Sequence, residues 1–321
     1  MFKSIVFVAL FAALGVTAAH AEDSWPTRTV KVIVPITAGS NIDIVARAVA
    51  NKLSEEMGQP FIVENRPGAG TTLGSMAVSR SPADGYTLLF HSATFLIASS
   101  VKKDLTYDIP KDFAGITAVA NTPLLLVTPP GKYKNVQELI AAAKSKNGTM
   151  NYATVGFGSA SHFVSERMAL AAGFKATPVP YRGTLEGLTD IMTGRVDFFF
   201  VPATTAVSLV RDGKLDGLAS TGSARMSSLP NVPTATEAGI PDFDFDMWVG
   251  MFAPANTPKP IIDKLYKATA KAVQAPDFKK RLVAIGGQVM KQPSPQEFDE
   301  HLKQELQRDI EIAKAANIKE N

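Results

Sequence analysis

Residues 30–58 read VKVIVPITAGSNIDIVARAVANKLSEEMG, and this stretch decides the fold class. It opens on a run that is apolar and β-branched apart from Lys31, which is typical of a strand buried in a parallel sheet. After a Gly-containing turn, apolar residues recur on one helical face from Ile42 to Met57, and Gly58 ends the predicted helix. A buried strand that leads through a short turn into an amphipathic helix is the building unit of α/β folds.

The same unit recurs along the chain. A second strand over 61–64 leads through NRPGAG at 65–70 into a helix from about Thr71, and a third strand spans 86–90. A further series places strands at 124–127, 150–154 and 198–201 with helices between them, and it ends in the Pro-rich passage 229–233. The C-terminal part of the chain is predicted to be helical, because Phe298, Leu302, Leu306 and Ile310 recur at helical spacing.

Two strand–helix series followed by a helical return predict an α/β protein of two lobes. Residues 22–122 together with 226–321 are expected to form the first lobe, and residues 123–225 the second. A chain that crosses twice between lobes makes a hinge, and the cleft beside the hinge is the natural ligand site.

The N-terminus carries the features of a signal peptide over residues 1–21. Lys3 precedes an apolar run from Ile5 to Val16, and Ala19-His20-Ala21 supplies a small-x-small cleavage site. An apolar core of about a dozen residues is too short for the ~30 Å hydrocarbon layer, which argues against a membrane anchor. We therefore expect export to the periplasm, with cleavage after Ala21.

Composition excludes several functional classes. The chain has no cysteine, which excludes a lipid-modified N-terminal cysteine, a thiol nucleophile and disulfides. Its net charge of +3 and the lack of a Lys/Arg run argue against a nucleic-acid partner. No complete dinucleotide or P-loop motif occurs, and the histidines lack zinc-site spacing. We expect a monomer without a cofactor or metal.

The loops that follow the predicted strands suit an anion. In open parallel sheets, ligands bind beyond the carboxyl ends of the strands, where the next helices point their N-termini. These loops are rich in small and hydroxyl residues, which bring backbone N–H groups close to a carboxylate. The alternative is that they are ordinary caps and tight turns. The candidate ligand residues are Ala38, Gly39, Ser40, Asn41, Gly70, Thr71, Ser92, Ala93, Gly158, Ser159, Ala160, Ser161, His162, Pro202 and Thr205.

Two further side chains are candidates for the ligand. Arg182 follows a predicted strand in a Gly-flanked turn and is the candidate ionic partner of a carboxylate, although a solvated arginine fits equally. Phe95, Phe157 and Trp248 are core residues by default, but an aromatic side chain near the cleft can also stack on a planar ligand. We include Phe157 among the ligand residues.

An exported serine hydrolase is the alternative function. It would use Ser159 or Ser161 with His162 or His91. The sequence around these serines is not the G-x-S-x-G nucleophile elbow, and a histidine adjacent to a serine in sequence rarely faces it. We therefore expect a binding protein and not an enzyme.

From Trp25 to nearly the C-terminus, the chain resembles the substrate-binding proteins of tripartite tricarboxylate transporters, also called the TctC or Bug family. The run VENRPGAG at 63–70 is the most specific part of this resemblance. The other matching stretches are IVP at 33–35, DIVAR at 43–47, DGYTL at 84–88, NYAT at 151–154, VPYRG at 179–183 and LPNVPT at 229–234.

The resemblance implies a two-lobed type II periplasmic binding protein fold that closes on its ligand without catalysis. It implies one large and one small integral membrane subunit as partners, and it places residues 38–41 on one wall of the cleft and residues 158–162 on the other. The first loop of this family is usually rich in proline and glycine, whereas this chain carries Ser40 and Asn41 there. Phe157 stands where a small or polar residue is common. We therefore expect a small di- or aromatic carboxylate, such as a benzene dicarboxylate.

Overall fold

The computed structural model describes residues 24–102, 104–146, 148–240, 243, 245–284, 286–315 and 318. The predicted signal peptide lies outside the described residues. The strands are β1 (Val30–Val34), β2 (Phe61–Asn65), β3 (Thr87–Ser92), β4 (Phe113–Thr128), β5 (Asn151–Thr154), β6 (Thr177–Pro180), β7 (Phe198–Pro202), β8 (Asp216–Ser220), β9 (Asp246–Pro254) and β10 (Gln288–Val289). The α-helices are α1 (Asn41–Met57), α2 (Thr72–Ser79), α3 (Thr94–Val101), α4 (Ile109–Asp112), α5 (Val136–Ser145), α6 (Ala160–Ala172), α7 (Thr184–Met192), α8 (Ala203–Arg211), α9 (Lys259–Gln274), α10 (Pro276–Ala284) and α11 (Pro295–Ala315).

One sheet runs through the molecule in two halves. In the first half, β1 lies between β2 and β3 and pairs with both in parallel. Strand β9 continues this half antiparallel to β3, and β4 then pairs antiparallel to β9. In the second half, β4 pairs antiparallel with β7 and β8, while β5 lies parallel between β7 and β6.

Strand β4 belongs to both halves of the sheet. Its residues 113–123 pair with β9, and its residues 124–128 pair with β7 and β8. The chain returns beside this point, because Thr221 N donates to Leu124 O and Phe245 N donates to Thr221 O. Two neighbouring connections therefore join the halves.

Apolar packing fixes the helices on both faces of the first half. Val45, Val49 and Leu53 of α1 pack in one buried cluster with Leu265 of α9, as the periodicity of residues 42–57 predicts. On the other face, the last helix returns to the first half and packs against α3 and β4. The ring of its Phe298 is fully buried and meets Trp248 edge-on, with ring centroids 5.7 Å apart.

Two long strands differ from the sequence prediction. Strand β4 begins at Phe113 and not at Leu124, and β9 lies in a part of the chain that the sequence predicts to be helical. Both strands lie between other strands and are buried on both faces, so their sequences do not alternate between apolar and polar residues. In the described part of the chain, no helix has the length and apolar character needed to cross a membrane.

Candidate functional site

The carboxyl ends of strands from both halves meet at a buried cavity, which we call the inner cavity. Its volume is about 30 Å³, which is room for a few water molecules at most. Each half contributes one wall, and the two connecting segments contribute Leu124 and Met247. The remaining lining residues are Ile36, Ser40, Asn41, Ile42, Thr71, Ser92 and Thr94 from the first half, and Val155, Ala160, Ser161, Thr184, Phe199, Phe200 and Pro202 from the second.

The N-terminal ends of five helices point at the inner cavity. Its lining includes the first residue or the N-cap of α1, α3, α6, α7 and α8. Helix N-termini carry a partial positive charge and N–H groups without an intrahelical partner. Among the described residues that line the cavity there is no lysine, arginine or histidine. The positive potential at this site therefore comes from the backbone.

Asp43 holds the loop before α1 in place. Its carboxylate accepts hydrogen bonds from Gly39 N at 2.9 Å, Arg47 Nε at 3.0 Å and Asn65 Nδ2 at 2.9 Å. Burial by itself would raise the pKa of Asp43, but these donors outweigh it and lower the pKa below its ordinary 3.8. Ser40 caps the helix by accepting from Asp43 N. The loop is thus rigid where Asn41 enters the cavity.

Asn41 bridges the two walls of the inner cavity. Its Oδ1 accepts a hydrogen bond of 2.6 Å from the hydroxyl of Thr204, in the first turn of α8. Its Nδ2 is buried and has no hydrogen-bond partner among the described residues. Because Asn41 lines the cavity, this amide is a donor available to a ligand.

The opposite wall carries a cluster of hydroxyl groups at the start of α6. Ser161 Oγ lies 3.0 Å from Ser159 Oγ and 3.2 Å from Thr154 Oγ1, and it accepts from Val155 N. Ser159 caps α6 by accepting from the backbone N–H of His162. Of the two serines, Ser161 lines the inner cavity.

The histidines do not form a hydrolase dyad with these serines. Within the described residues, the ring of His162 accepts from Gly158 N, and the ring of His91 contacts Thr71 Oγ1 and accepts from Ser92 N. Burial lowers the pKa of His162 to about 4 and that of His91 to about 3. Both rings are packing residues in this geometry.

Arg182 lies outside the inner cavity. It is exposed and lines a wider groove of about 740 Å³ between the two halves, which we call the outer groove. Gly70 and Thr71 line the same groove, and Thr71 also reaches the inner cavity. Arg182 therefore lines the outer groove and not the inner cavity.

Apart from Gly70 and Arg182, which line the outer groove, the predicted ligand residues fall into two groups. Ser40, Asn41, Thr71, Ser92, Ala160, Ser161 and Pro202 line the inner cavity. Ala38, Gly39, Ala93, Phe157, Gly158, Ser159, His162 and Thr205 lie in the same loops and helix starts but do not line it. Phe157, for example, is half-buried and meets the edge of His162 at 5.2 Å between ring centroids.

Sequence reasoning missed the apolar part of the lining and two threonines. Phe199 and Phe200 lie near the carboxyl end of β7, directly before the predicted loop at Pro202. Thr184 follows Gly183 at the start of α7, and Thr94 follows β3 in the same way. These lining residues can be identified in the sequence by their position at a strand end or helix start, and not by their residue type.

Comparison with known proteins places the chain in one family. Residues 45–318 match the profile of the tripartite tricarboxylate transporter family receptor, TctC. The periplasmic binding protein BugD is 31% identical, with a TM-score of 0.88 over 92% of this chain and 100% of its own. MatC from Rhodopseudomonas palustris, solved with bound malate, is 32% identical with a TM-score of 0.86 over 90% of this chain and 99% of its own. An R. palustris protein solved with adipate is 31% identical with a TM-score of 0.88 over 92% and 99%.

These matches cover the described halves of the sheet and the loops between them. They confirm the predicted two-lobed type II periplasmic binding protein fold with a ligand cleft between the lobes. The family consists of substrate-binding receptors, which is consistent with the expectation that the chain is not an enzyme. The chain belongs to the TctC family of tripartite tricarboxylate transporter receptors, in which the Bug proteins are its structural neighbours.

Proposed function

We propose that this receptor captures a small carboxylate in the inner cavity and delivers it to a tripartite tricarboxylate-type transporter. The observation that carries the proposal is the convergence of five helix N-termini on a cavity whose described lining residues have no basic side chain. An anion at a helix N-terminus gains about 0.3–1 kcal/mol, and up to ~2 kcal/mol where the site is partly buried. A neutral solute gains none of this, so the site selects for negative charge.

The ligand class follows from the two surfaces of the cavity. Hydroxyl and amide groups supply donors for carboxylate oxygens, while Phe199, Phe200 and Met247 supply an apolar surface. Malate and adipate, bound in the two R. palustris relatives, are both dicarboxylates. These features support a di- or aromatic carboxylate, such as a benzene dicarboxylate, with the phenylalanines against its carbon skeleton.

Capture requires the cleft to open and close. A cavity of about 30 Å³ does not admit such a ligand from solvent, so the walls must separate first. We assign residues 22–122 with 226–321 to one lobe and residues 123–225 to the other. The change of partners along β4 at Pro123 and the return of the chain at Thr221 support a hinge at this boundary.

The location and partners belong to the same proposal. Cleavage of residues 1–21 would release the receptor, as a monomer, into the periplasm. There it would dock, loaded, on the integral membrane subunits of the transporter. The family assignment supports these partners.

A thermal-shift screen tests the proposal. Malate, adipate, benzoate and the benzene dicarboxylates are added to the mature protein, with the matching amides as neutral controls. A carboxylate at 100-fold its Kd should add about 2.7 kcal/mol to the free energy of unfolding, and its amide should add nothing. If no carboxylate raises the Tm while p-nitrophenyl esters are hydrolysed, and hydrolysis is lost in Ser161→Ala, the hydrolase alternative replaces the receptor.

A further inference from the structure

We propose that Asn41 and Thr204 form a latch across the cleft that also aims the side-chain amide of Asn41 at the carboxylate of the ligand. The inference rests on the proposed function, because it assumes that a carboxylate occupies the inner cavity. It adds a link between ligand contact and lobe closure through one side chain.

The two residues belong to opposite walls and are 163 positions apart in the chain. Asn41 is the first residue of α1, and Thr204 lies in the first turn of α8. The hydrogen bond between them is 2.6 Å long, and the two residues are 2% and 8% exposed. Such a bond forms when the walls come together and is lost when they separate.

The hydrogen bond fixes the direction of the amide. An asparagine side chain is planar, with its oxygen and nitrogen on opposite edges. Because Thr204 donates to Oδ1, Nδ2 is held on the other edge, where it is buried and no group in the described part of the chain accepts from it. A buried donor without a partner is costly, and a carboxylate in the cavity removes that cost.

Both ends of the Asn41 amide therefore have hydrogen-bond partners only in the closed protein with its ligand bound. In the open protein, water solvates both ends of the Asn41 amide, and nothing orients it. In the closed protein without an anion, Nδ2 is unsatisfied while five helix N-termini face one another. A carboxylate accepts from Nδ2 and balances the partial positive charge of the helix N-termini, so ligand binding and closure favour each other.

Two substitutions separate the parts of the latch. Asn41→Asp keeps an oxygen that accepts from Thr204. It replaces the Nδ2 donor by a carboxylate oxygen, whose negative charge adds to that of the ligand. Thr204→Val keeps the size of the side chain and removes the latch hydroxyl. Thr204→Ser restores that hydroxyl, and Thr189→Val is the matched control. The Thr189 hydroxyl is exposed and bonds to Leu185 O within its own helix.

Isothermal titration with malate, adipate and benzene-1,4-dicarboxylate at pH 8 measures Kd for each variant, and stopped-flow mixing measures the dissociation rate. We expect N41D to raise Kd at least about 30-fold through the lost donor and the added charge. We expect T204V to raise Kd about fivefold, mostly through faster dissociation, because the closed state loses one hydrogen bond while the ligand keeps its own contacts. T204S and T189V should stay within about twofold of the unaltered protein, which is the scatter of surface substitutions.

The outcomes distinguish this inference from the proposed function. If the unaltered protein binds none of the carboxylates, the proposed function fails and the latch falls with it. If it binds one and N41D binds that ligand equally well, the donor role of Asn41 is wrong while the receptor stands. If T204V dissociates no faster than T189V, the latch is wrong. Circular dichroism and Tm without ligand establish that each variant is folded, and Thr204→Ala, which also lacks the hydroxyl, takes the place of T204V should T204V fail to fold.

Discussion

Replacing Gly183 by alanine should hold the cleft open. Gly183 is the N-cap of α7 and has φ −160° and ψ 166°, an extended conformation that alanine adopts without strain. A Cβ built on Gly183 lies 2.2 Å from Thr37 Oγ1 and 3.3 Å from both Thr37 Cβ and Thr37 Cγ2. Thr37 belongs to the loop after β1, on the opposite wall of the outer groove. The added methyl group is therefore a wedge between the two walls.

The size of the effect follows from these distances. A contact of 2.2 Å is far inside the van der Waals limit, and rotation of the threonine side chain leaves its Cβ at 3.3 Å, still closer than ordinary van der Waals contact. Overpacking of this kind costs about 1–3 kcal/mol. If the closed state bears this cost and the open state does not, Kd for the carboxylate rises about 5- to 150-fold.

A double-mutant cycle isolates the clash. Gly183→Ala, Thr37→Ala and the double variant are titrated with the same carboxylate, and small-angle scattering follows compaction on binding. Thr37→Ala removes the atom at 2.2 Å, so the double variant should recover most of the lost affinity. Any effect of alanine as an N-cap occurs in both backgrounds and cancels in the cycle. If Gly183→Ala binds and compacts like the unaltered protein, closure of these walls is not part of binding.

Three further substitutions probe the support of the site, all by urea unfolding. Burial lowers the pKa of His162 to about 4, so its folded form stays neutral while the unfolded form takes a proton below its ordinary 6.5. Between pH 6.5 and pH 4 His162 should contribute a loss of stability of roughly 3 kcal/mol, beside that of the buried His91, and His162→Gln should remove its share; an unchanged slope contradicts it. Asp43 has a lowered pKa, so its stabilisation is present above 3.8 and lost as pH falls through the folded value. Asp43→Asn should cost about 1–3 kcal/mol at pH 7 and little in strong acid, whereas an equal loss at both would show that charge is irrelevant. Trp248 Nε1 donates to buried Glu305 at 2.7 Å, so Trp248→Phe should cost about 1–3 kcal/mol; a loss below 0.5 kcal/mol, roughly the scatter of surface changes, refutes the role of that bond.

The parts of the fold that the sequence predicts are those with local periodicity. The helix from Asn41 to Met57 follows from apolar residues that recur on one face at helical spacing. The strand over 30–34 follows from its run of β-branched residues, since its burial does not alternate. The sequence predicts a helical region where strand β9 lies, because both faces of this strand are buried and its apolar residues show no alternation. A short apolar run with two buried faces gives no period that distinguishes a strand from a helix.

The candidate site was predictable as a set of loops but not as a set of contacts. The sequence predicts Ser40, Asn41 and Ser161 because hydroxyl and amide residues at helix starts suit an anion, and all three line the inner cavity. The pairing of Asn41 with Thr204 depends on how two lobes meet, and no local pattern encodes it. The charge and turn context of Arg182 predict a ligand residue, and its place in the outer groove depends on how the two lobes meet.

A site built on helix N-termini suits a receptor that must release what it captures. An arginine carries its charge wherever its side chain moves, and it can keep an ion pair with the ligand after a cleft opens. The attraction of a helix N-terminus falls off within about one turn, so it depends on the distance between the walls and the anion. In this chain α1 and α3 lie on one wall and α6, α7 and α8 on the other. Separating the walls removes one set of N-termini and the Asn41–Thr204 bond from the ligand in the same movement. A transporter that opens the cleft would thereby lower the affinity steeply without competing for the carboxylate.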